Sequence, residues 1–210
     1  MSGAPSRRSE HKTRTRHALR TAALELFASK GYEEATTEEI AERAGVSART
    51  FFRYFPTKES VLWAGEYDWI QAFTAKFLDQ PAELPDIDAM RNAFVSAASS
   101  LTRGRRFLGL YQRAVASSPT LRGRSQDHRD DHTRSLAKAV ASRRNLPEAD
   151  GRCELLAALG LLVYSKSLDA WLAGPATRDL GELIEAEFAL LGSLFDHTRP
   201  PTTRPPRGTR

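Results

Sequence analysis

The segment "TTEEIAERAGVSARTFFRYFPTKE", Thr36 to Glu59, restricts the fold more than any other part of the chain. Thr36 and Glu39 have the S/T-x-x-E spacing of a capping box, which predicts a helix starting there. Gly45 stops it after about two turns. Ser47 predicts the N-cap of a third helix that runs to about Phe55, where Pro56 ends it and Thr57 can cap the next. Two short helices joined by a Gly-containing turn form a helix-turn-helix, whose second helix enters the DNA major groove.

The second of these helices, "SARTFFRYF", interleaves cations and aromatics. At about 100° per residue, Phe51 and Phe55 share one face and Arg49 and Arg53 the opposite one, with Thr50 and Tyr54 along a flank. The Phe face anchors the helix and the Arg face is presented outward. Two Arg at i and i+4 repel by a few tenths of a kcal/mol in an isolated helix, a penalty that a row of phosphates would reverse.

The remaining pattern is helical almost throughout. Leu19, Ala22, Ala23, Leu26 and Phe27 give a first helix over about Lys12–Ser29 one apolar face. Later helices are expected over about Thr57–Phe77, Asp86–Thr102, Arg106–Ser117, Leu121–Arg144, Ala149–Leu172 and Asp179–Phe195. The expectation is an all-α fold of about nine helices. Residues 1–10 read as a disordered basic arm, 11–56 as the helix-turn-helix domain, 57–197 as a ligand-binding and dimerisation domain, and 198–210 as a disordered tail. Arg7, Arg8, Lys12, Arg14 and Arg16 of the arm region either reach an adjacent minor groove or add only non-specific affinity.

Net charge of +5 and a pI near 9.6 suit an anionic partner. The single cysteine, Cys153, excludes an intrachain disulfide, fits a cytoplasmic compartment and reads as a small buried helix residue. The N-terminus lacks the apolar core of a secretory signal, and no apolar run approaches the roughly 18 residues of a membrane span.

The string "GYEEATTEEIAERAGVSARTFFRYFPTKESVL" resembles the N-terminal domain of the TetR family of bacterial transcriptional regulators. That resemblance implies an all-helical homodimer with a three-helix DNA-binding domain, acting on a double-stranded DNA operator. It also implies a C-terminal domain whose small-molecule effector typically releases the DNA. Carried over, it puts Thr36 and Thr37 at phosphate and Ser47, Arg49, Thr50 and Arg53 in or beside the groove. Tyr54 stands where the family often has His or Tyr, and Lys58 matches a usual phosphate-binding Lys. Phe52 departs from a common Tyr, so it either packs, the preferred reading, or touches a thymine methyl.

More loosely, "LYQRAVASSPTLRGRSQDHRDDHTRSLAKAVASRRNL" and the helices after it resemble the ligand domain of a branch that includes the mycofactocin-system regulator. That implies a mainly apolar, acyl-coenzyme A-like effector. Trp63, Trp69, Phe73, Phe94, Phe107, Leu110, Tyr111, Tyr164 and Trp171 are each either core or pocket lining. Arg113, Arg122 and Arg124 either meet an anionic ligand group or coat the surface. His128 and His132, near Asp127, Asp130 and Asp131, lack a third metal ligand and read as a solvated polar face. Leu155, Leu156, Leu159, Leu162 and Val163, with Leu180, Ile184, Phe188, Leu191 and Phe195, offer a four-helix dimer interface. No Gly-rich phosphate loop, nucleophile turn or zinc signature points to an enzyme, and no cofactor is expected. The competing reading is a DNA-binding activator or architectural protein without a ligand, which the lack of a connected apolar cavity would favour.

Overall fold

The computed structural model describes residues 7–63 and 66–196. These form α1 (Arg7–Lys30), α2 (Thr37–Arg43), α3 (Ala48–Tyr54), α4 (Ser60–Trp63), α5 (Glu66–Leu78), α6 (Asp86–Leu101), α7 (Arg105–Ser117), α8 (Pro119–Arg143), α9 (Gly151–Ala173) and α10 (Leu180–Asp196). A 3₁₀ turn, Thr102–Gly104, links α6 to α7, and no strand occurs among the described residues. The all-α expectation holds, with ten helical segments among the described residues where about nine helices are expected. The stretch expected as one helix over 57–77 is described as α4 and α5, on either side of residues 64 and 65.

Two boundaries differ instructively. α1 starts at Arg7, so residues 7–10 of the expected disordered arm are helical; Glu10 in the first turn complements the helix dipole. Residues 1–6 and the tail expected from 198 lie outside the described residues. α8 starts at Pro119, directly after its N-cap Ser118, where a proline has no intrahelical N–H to forfeit.

The helix-turn-helix is built as its sequence predicts. Thr36 Oγ1 accepts from Glu39 N, and Glu39 Oε2 accepts from Thr36 N at 2.9 Å, completing the capping box. Gly45 adopts φ +70°, a conformation that costs an L-residue strain. Ser47 caps α3 by accepting from Thr50 N. Thr57 Oγ1 likewise accepts from Ser60 N at the start of α4.

Two apolar clusters organise the molecule. The first joins Leu19, Ala23 and Phe27 of α1, Ile40 of α2 and Phe51 of α3 to Val61 and Leu62 of α4. It also takes in Leu110 and Ala114 of α7 and Leu121 of α8, so packing crosses residue 56 without interruption. The second gathers α5, α6, the C-terminal half of α8, α9 and α10 around Phe73, Phe77, Phe94, Trp171 and Ile184. Each fully buried Phe in these clusters contributes about 1.5–3 kcal/mol. α9 packs closely on α6: a Cβ on Gly160 would collide with Met90 Sδ. Cys153 is buried, as expected.

Among the described residues, α9 alone meets the size of a membrane span by length and mean hydropathy (1.4). A count of uninterrupted apolar residues does not register it, because Lys166 and Asp169 break the run. Its apolar residues pack within the bundle, and others form a separate exposed stripe described below.

Candidate DNA-binding surface and ligand cavity

α3 turns Phe51 fully inward and Phe55, its C-cap, to 2% exposure, with the two rings 5.7 Å apart. Arg49 and Arg53 are exposed on the opposite side. The Arg53 guanidinium stands 5.4 Å from the ring of the half-buried Tyr54. Ser47 Oγ donates to Thr50 Oγ1 at 3.1 Å, which fixes both hydroxyls at the N-terminal end of this face. Phe52 does not pack as expected. It is 51% exposed and meets only the edge of Phe51, because the inward positions of so short a helix are filled by Phe51 and Phe55.

At the start of α2, Thr37 Oγ1 donates to Glu38, and Glu39 accepts both from Thr36 and from Lys30 Nζ at 2.7 Å. The Lys30 hydrogen bond, then the Thr36 amide, pull the Glu39 carboxyl down to about 2. Lys30 thereby offsets a negative charge next to the two threonines.

Lys58 behaves differently from the expected phosphate ligand. Its ammonium donates to the carbonyls of Tyr32 (2.7 Å), Ala35 (2.9 Å) and Glu33 (3.3 Å) and lies 4.3 Å from the Tyr32 ring centre. An ammonium has three donors, and all three are engaged. Lys58 therefore ties α4 to the turn between α1 and α2. Ser118 joins the same turn from the other domain, donating to Glu33 Oε1 at 2.8 Å while capping α8.

A cavity of about 890 Å³ lies between α5, α7, α8 and α9 and reaches the DNA-binding unit. Its apolar wall comes from Leu101, Leu108, Val115, Leu161 and Leu168, with Trp69, Phe107, Tyr111 and Tyr164 adding rings. Arg20 of α1 and Leu62 of α4 also line it. Arg20 Nε donates to the Val61 carbonyl at 3.3 Å, and its guanidinium lies 4.4 Å from the Phe107 ring centre. Arg122, Arg129 and Arg20 supply positive charge, whereas Asp169, the one carboxylate among the described lining residues, accepts from Gln112.

The matching family models are "Bacterial regulatory proteins, tetR family" over residues 19–64 and "MftR C-terminal domain" over residues 84–196. The chain belongs to the TetR family. It is 27% identical over 196 residues to the putative mycofactocin biosynthesis transcriptional regulator MftR of Mycobacterium tuberculosis, covering 91% of this chain and 96% of that one. It is 42% identical over 90 residues to the transcriptional regulator TcmR of Streptomyces glaucescens, a match spanning 43% of this chain and 40% of TcmR. The repressor FadR of Thermus thermophilus, solved with lauroyl-CoA, shares the fold with a TM-score of 0.52 at 23% identity, over 92% of this chain and all of that one. The chain is a TetR-family DNA-binding transcriptional regulator.

Of the residues expected to line a TetR-family ligand site, the cavity includes Trp69, Phe107, Tyr111 and Tyr164. Phe73 and Phe94 instead stack on each other at 4.0 Å in the second cluster, and Leu110 belongs to the first. Trp171 is buried beneath Arg105, which donates to the Trp171 and Gly174 carbonyls at 2.6 Å and closes the end of α9. Arg113 is exposed and outside the lining. Trp63 backs the wall: it stacks on His128 at 4.4 Å and meets Tyr111 edge-on.

His128 and His132, expected on a solvated face, line the cavity half-buried. Burial, then the neighbouring His128, pushes the His132 pKa down. Arg122 reaches the lining while donating to the Ala116 carbonyl at 2.7 Å, and Arg124 instead pairs with Glu59 and Asp127.

Proposed function

We propose that this regulator is a ligand-responsive repressor, binding a pseudo-palindromic operator as a homodimer and released by a small, mainly apolar molecule. The observation that carries the reading is the shared cavity wall, to which α1 of the DNA-binding unit contributes Arg20 and α4, packed in the same apolar cluster as α1 to α3, contributes Leu62. A molecule in the cavity touches the reading unit directly, so its affinity can differ between DNA-competent and released arrangements. A connected apolar cavity also weighs against a regulator without a ligand. The apolar wall suits an acyl or ring system, and Arg20, Arg122 and Arg129 suit an anionic end such as that of an acyl-coenzyme A.

Arg49 and Arg53 read or grip the major groove, with Ser47, Thr50, Tyr54 and Phe52 around them and Thr36 and Thr37 near phosphate. Dimerisation uses the exposed stripe of Leu155 and Leu162 on α9 with Leu190 and Leu194 on α10, which are 53–62% exposed in the single chain. Val163, Leu180, Ile184 and Phe188, assigned to that interface from sequence, are buried within their own subunit, and Leu156 packs on the same core. The Phe195 side chain lies outside the described residues.

The test is reciprocal titration. Operators selected from genomic DNA are bound with and without long-chain acyl-coenzyme A, and the ligand is then bound with and without operator. The two coupling factors must agree. If every apolar compound that binds leaves DNA affinity unchanged, the sensor half of the reading fails.

A further inference from the structure

Trp69 Nε1 is the one buried side-chain polar atom without a hydrogen-bond partner among the described residues. It stands in the cavity wall. The indole stacks on Tyr164 at 5.1 Å and on Phe73 at 5.9 Å, with the His132 ring 5.7 Å away. Tyr164 lines the same wall; burial pushes its phenol up, opposed by the Trp69 N–H, which is directed toward the hydroxyl without completing a well-formed hydrogen bond, so the hydroxyl stays protonated. A buried N–H without a partner forfeits a hydrogen bond that the unfolded chain makes with water, and so calls for an explanation. Here the surroundings are rings, and none of the cation–ring contacts falls on Trp69 or Tyr164.

We propose that the effector carries a neutral carbonyl oxygen, seated at this wall, that accepts a hydrogen bond from Trp69 Nε1, with Tyr164 Oη as a second donor. The inference rests on the sensor reading above and adds the functional group recognised. A carboxylate would lose its hydration against two neutral donors, and among the described residues no cation is seated on either ring to offset the loss. A hydroxyl would bring another donor to a wall that already holds an unpaired one. A carbonyl accepts only. Two kinds of molecule bear it, a flat ring ketone and an acyl chain, and matched probe pairs separate them.

Fluorenone against fluorene, and undecanone against undecane, differ within each pair chiefly in the carbonyl. Calorimetry on the full-length protein should favour the ketone of the better-fitting pair by about three- to tenfold, the range of one neutral hydrogen bond. The infrared carbonyl band of the bound ketone should move to lower frequency. Trp69→Phe keeps an aromatic ring without the N–H and should abolish both the preference and most of the band shift. Tyr164→Phe, which keeps its ring, should reduce both and serves if the tryptophan variant does not fold. Preference within the ring pair identifies a flat ligand, and preference within the chain pair an acyl one; either supports the proposal. Equal affinity for ketone and hydrocarbon with an unshifted band overturns the carbonyl assignment and leaves the sensor reading standing. Failure of all four probes to bind overturns the carbonyl assignment, and the sensor reading is then decided by the acyl-coenzyme A titration above.

Discussion

Two helices carry a pair of basic residues four positions apart, and the fold turns the pairs in opposite directions. On α3, Arg49 and Arg53 face outward. On α8, His128 and His132 face a cavity and meet Trp63 and Trp69. The spacing is the same in both, so spacing settles only that two residues share a face. Direction comes from what occupies the other face. On α3, Phe51 and Phe55 lie opposite the arginines and can only go inward. On α8, Arg122 to Ser135 contains no apolar residue, so nothing within that stretch marks an inner side. The aromatic partners that define it arrive from α4 and α5.

In the proposed homodimer the outward pair is presented twice, and the largest expected effect comes from breaking that. Leu155→Glu with Leu162→Glu puts charge into the exposed stripe of α9 without disturbing a buried residue. Sedimentation should show a monomer, with operator affinity down by about a hundredfold or more, because the second half-site is no longer held at high effective concentration. A dimer that survives both changes moves the interface elsewhere. In the intact dimer, half-site centres should lie about 34–36 Å apart.

Arg49→Ala sharpens the comparison at α3 itself. Loss of a base-reading arginine should cost about 1–3 kcal/mol and relax preference at one operator position. Selection from a randomised operator library would show this. A uniform loss across all sequences would reassign Arg49 to the phosphate backbone.

Lys58→Met addresses a cation that sequence places outward and the fold turns inward. Its three carbonyl acceptors predict lost stability of about 1–3 kcal/mol in urea unfolding, from hydrogen bonds to a charged group. The salt dependence of DNA binding should stay the same. A salt slope smaller by about one unit, with stability intact, would restore the phosphate role.

The helix-turn-helix was legible because its signals are local. The Thr36–Glu39 box, Gly45 and the Ser47 cap each act within four residues. The cavity was half legible. Trp69, Phe107, Tyr111 and Tyr164 announce themselves by size, yet Phe73, Phe94 and Trp171 announce themselves equally and are core. Arg20 escaped because it sits on α1, a helix read as part of the DNA-binding domain; only the packing of α7 against α1 brings it to the cavity. Phe52 was misjudged for a related reason. A lone exposed Phe is uncommon, which favours packing, but in seven residues of helix the inward side is already filled by Phe51 and Phe55.

The smallest expected effect probes the inward pair through pH. In the folded protein, burial and the neighbouring His128 lower the His132 pKa below its ordinary value, while Asp131 acts in the opposite sense. Unfolded chains therefore take up the proton first as pH falls through the usual histidine range, near 6.5. The unfolded state then binds more protons than the folded one, so stability declines as pH falls. The decline should end once pH drops below the folded-state value. His132→Gln, which keeps a polar side chain but cannot titrate, should flatten this part of the stability curve relative to the parent. A carbonyl ligand seated beside Trp69 should deepen the decline in the parent, since it needs the neutral wall, and should do so less in His132→Gln. An identical acid limb in both proteins would mean that His132 titrates as a solvated residue, and the contrast between α3 and α8 would then rest on His128 alone.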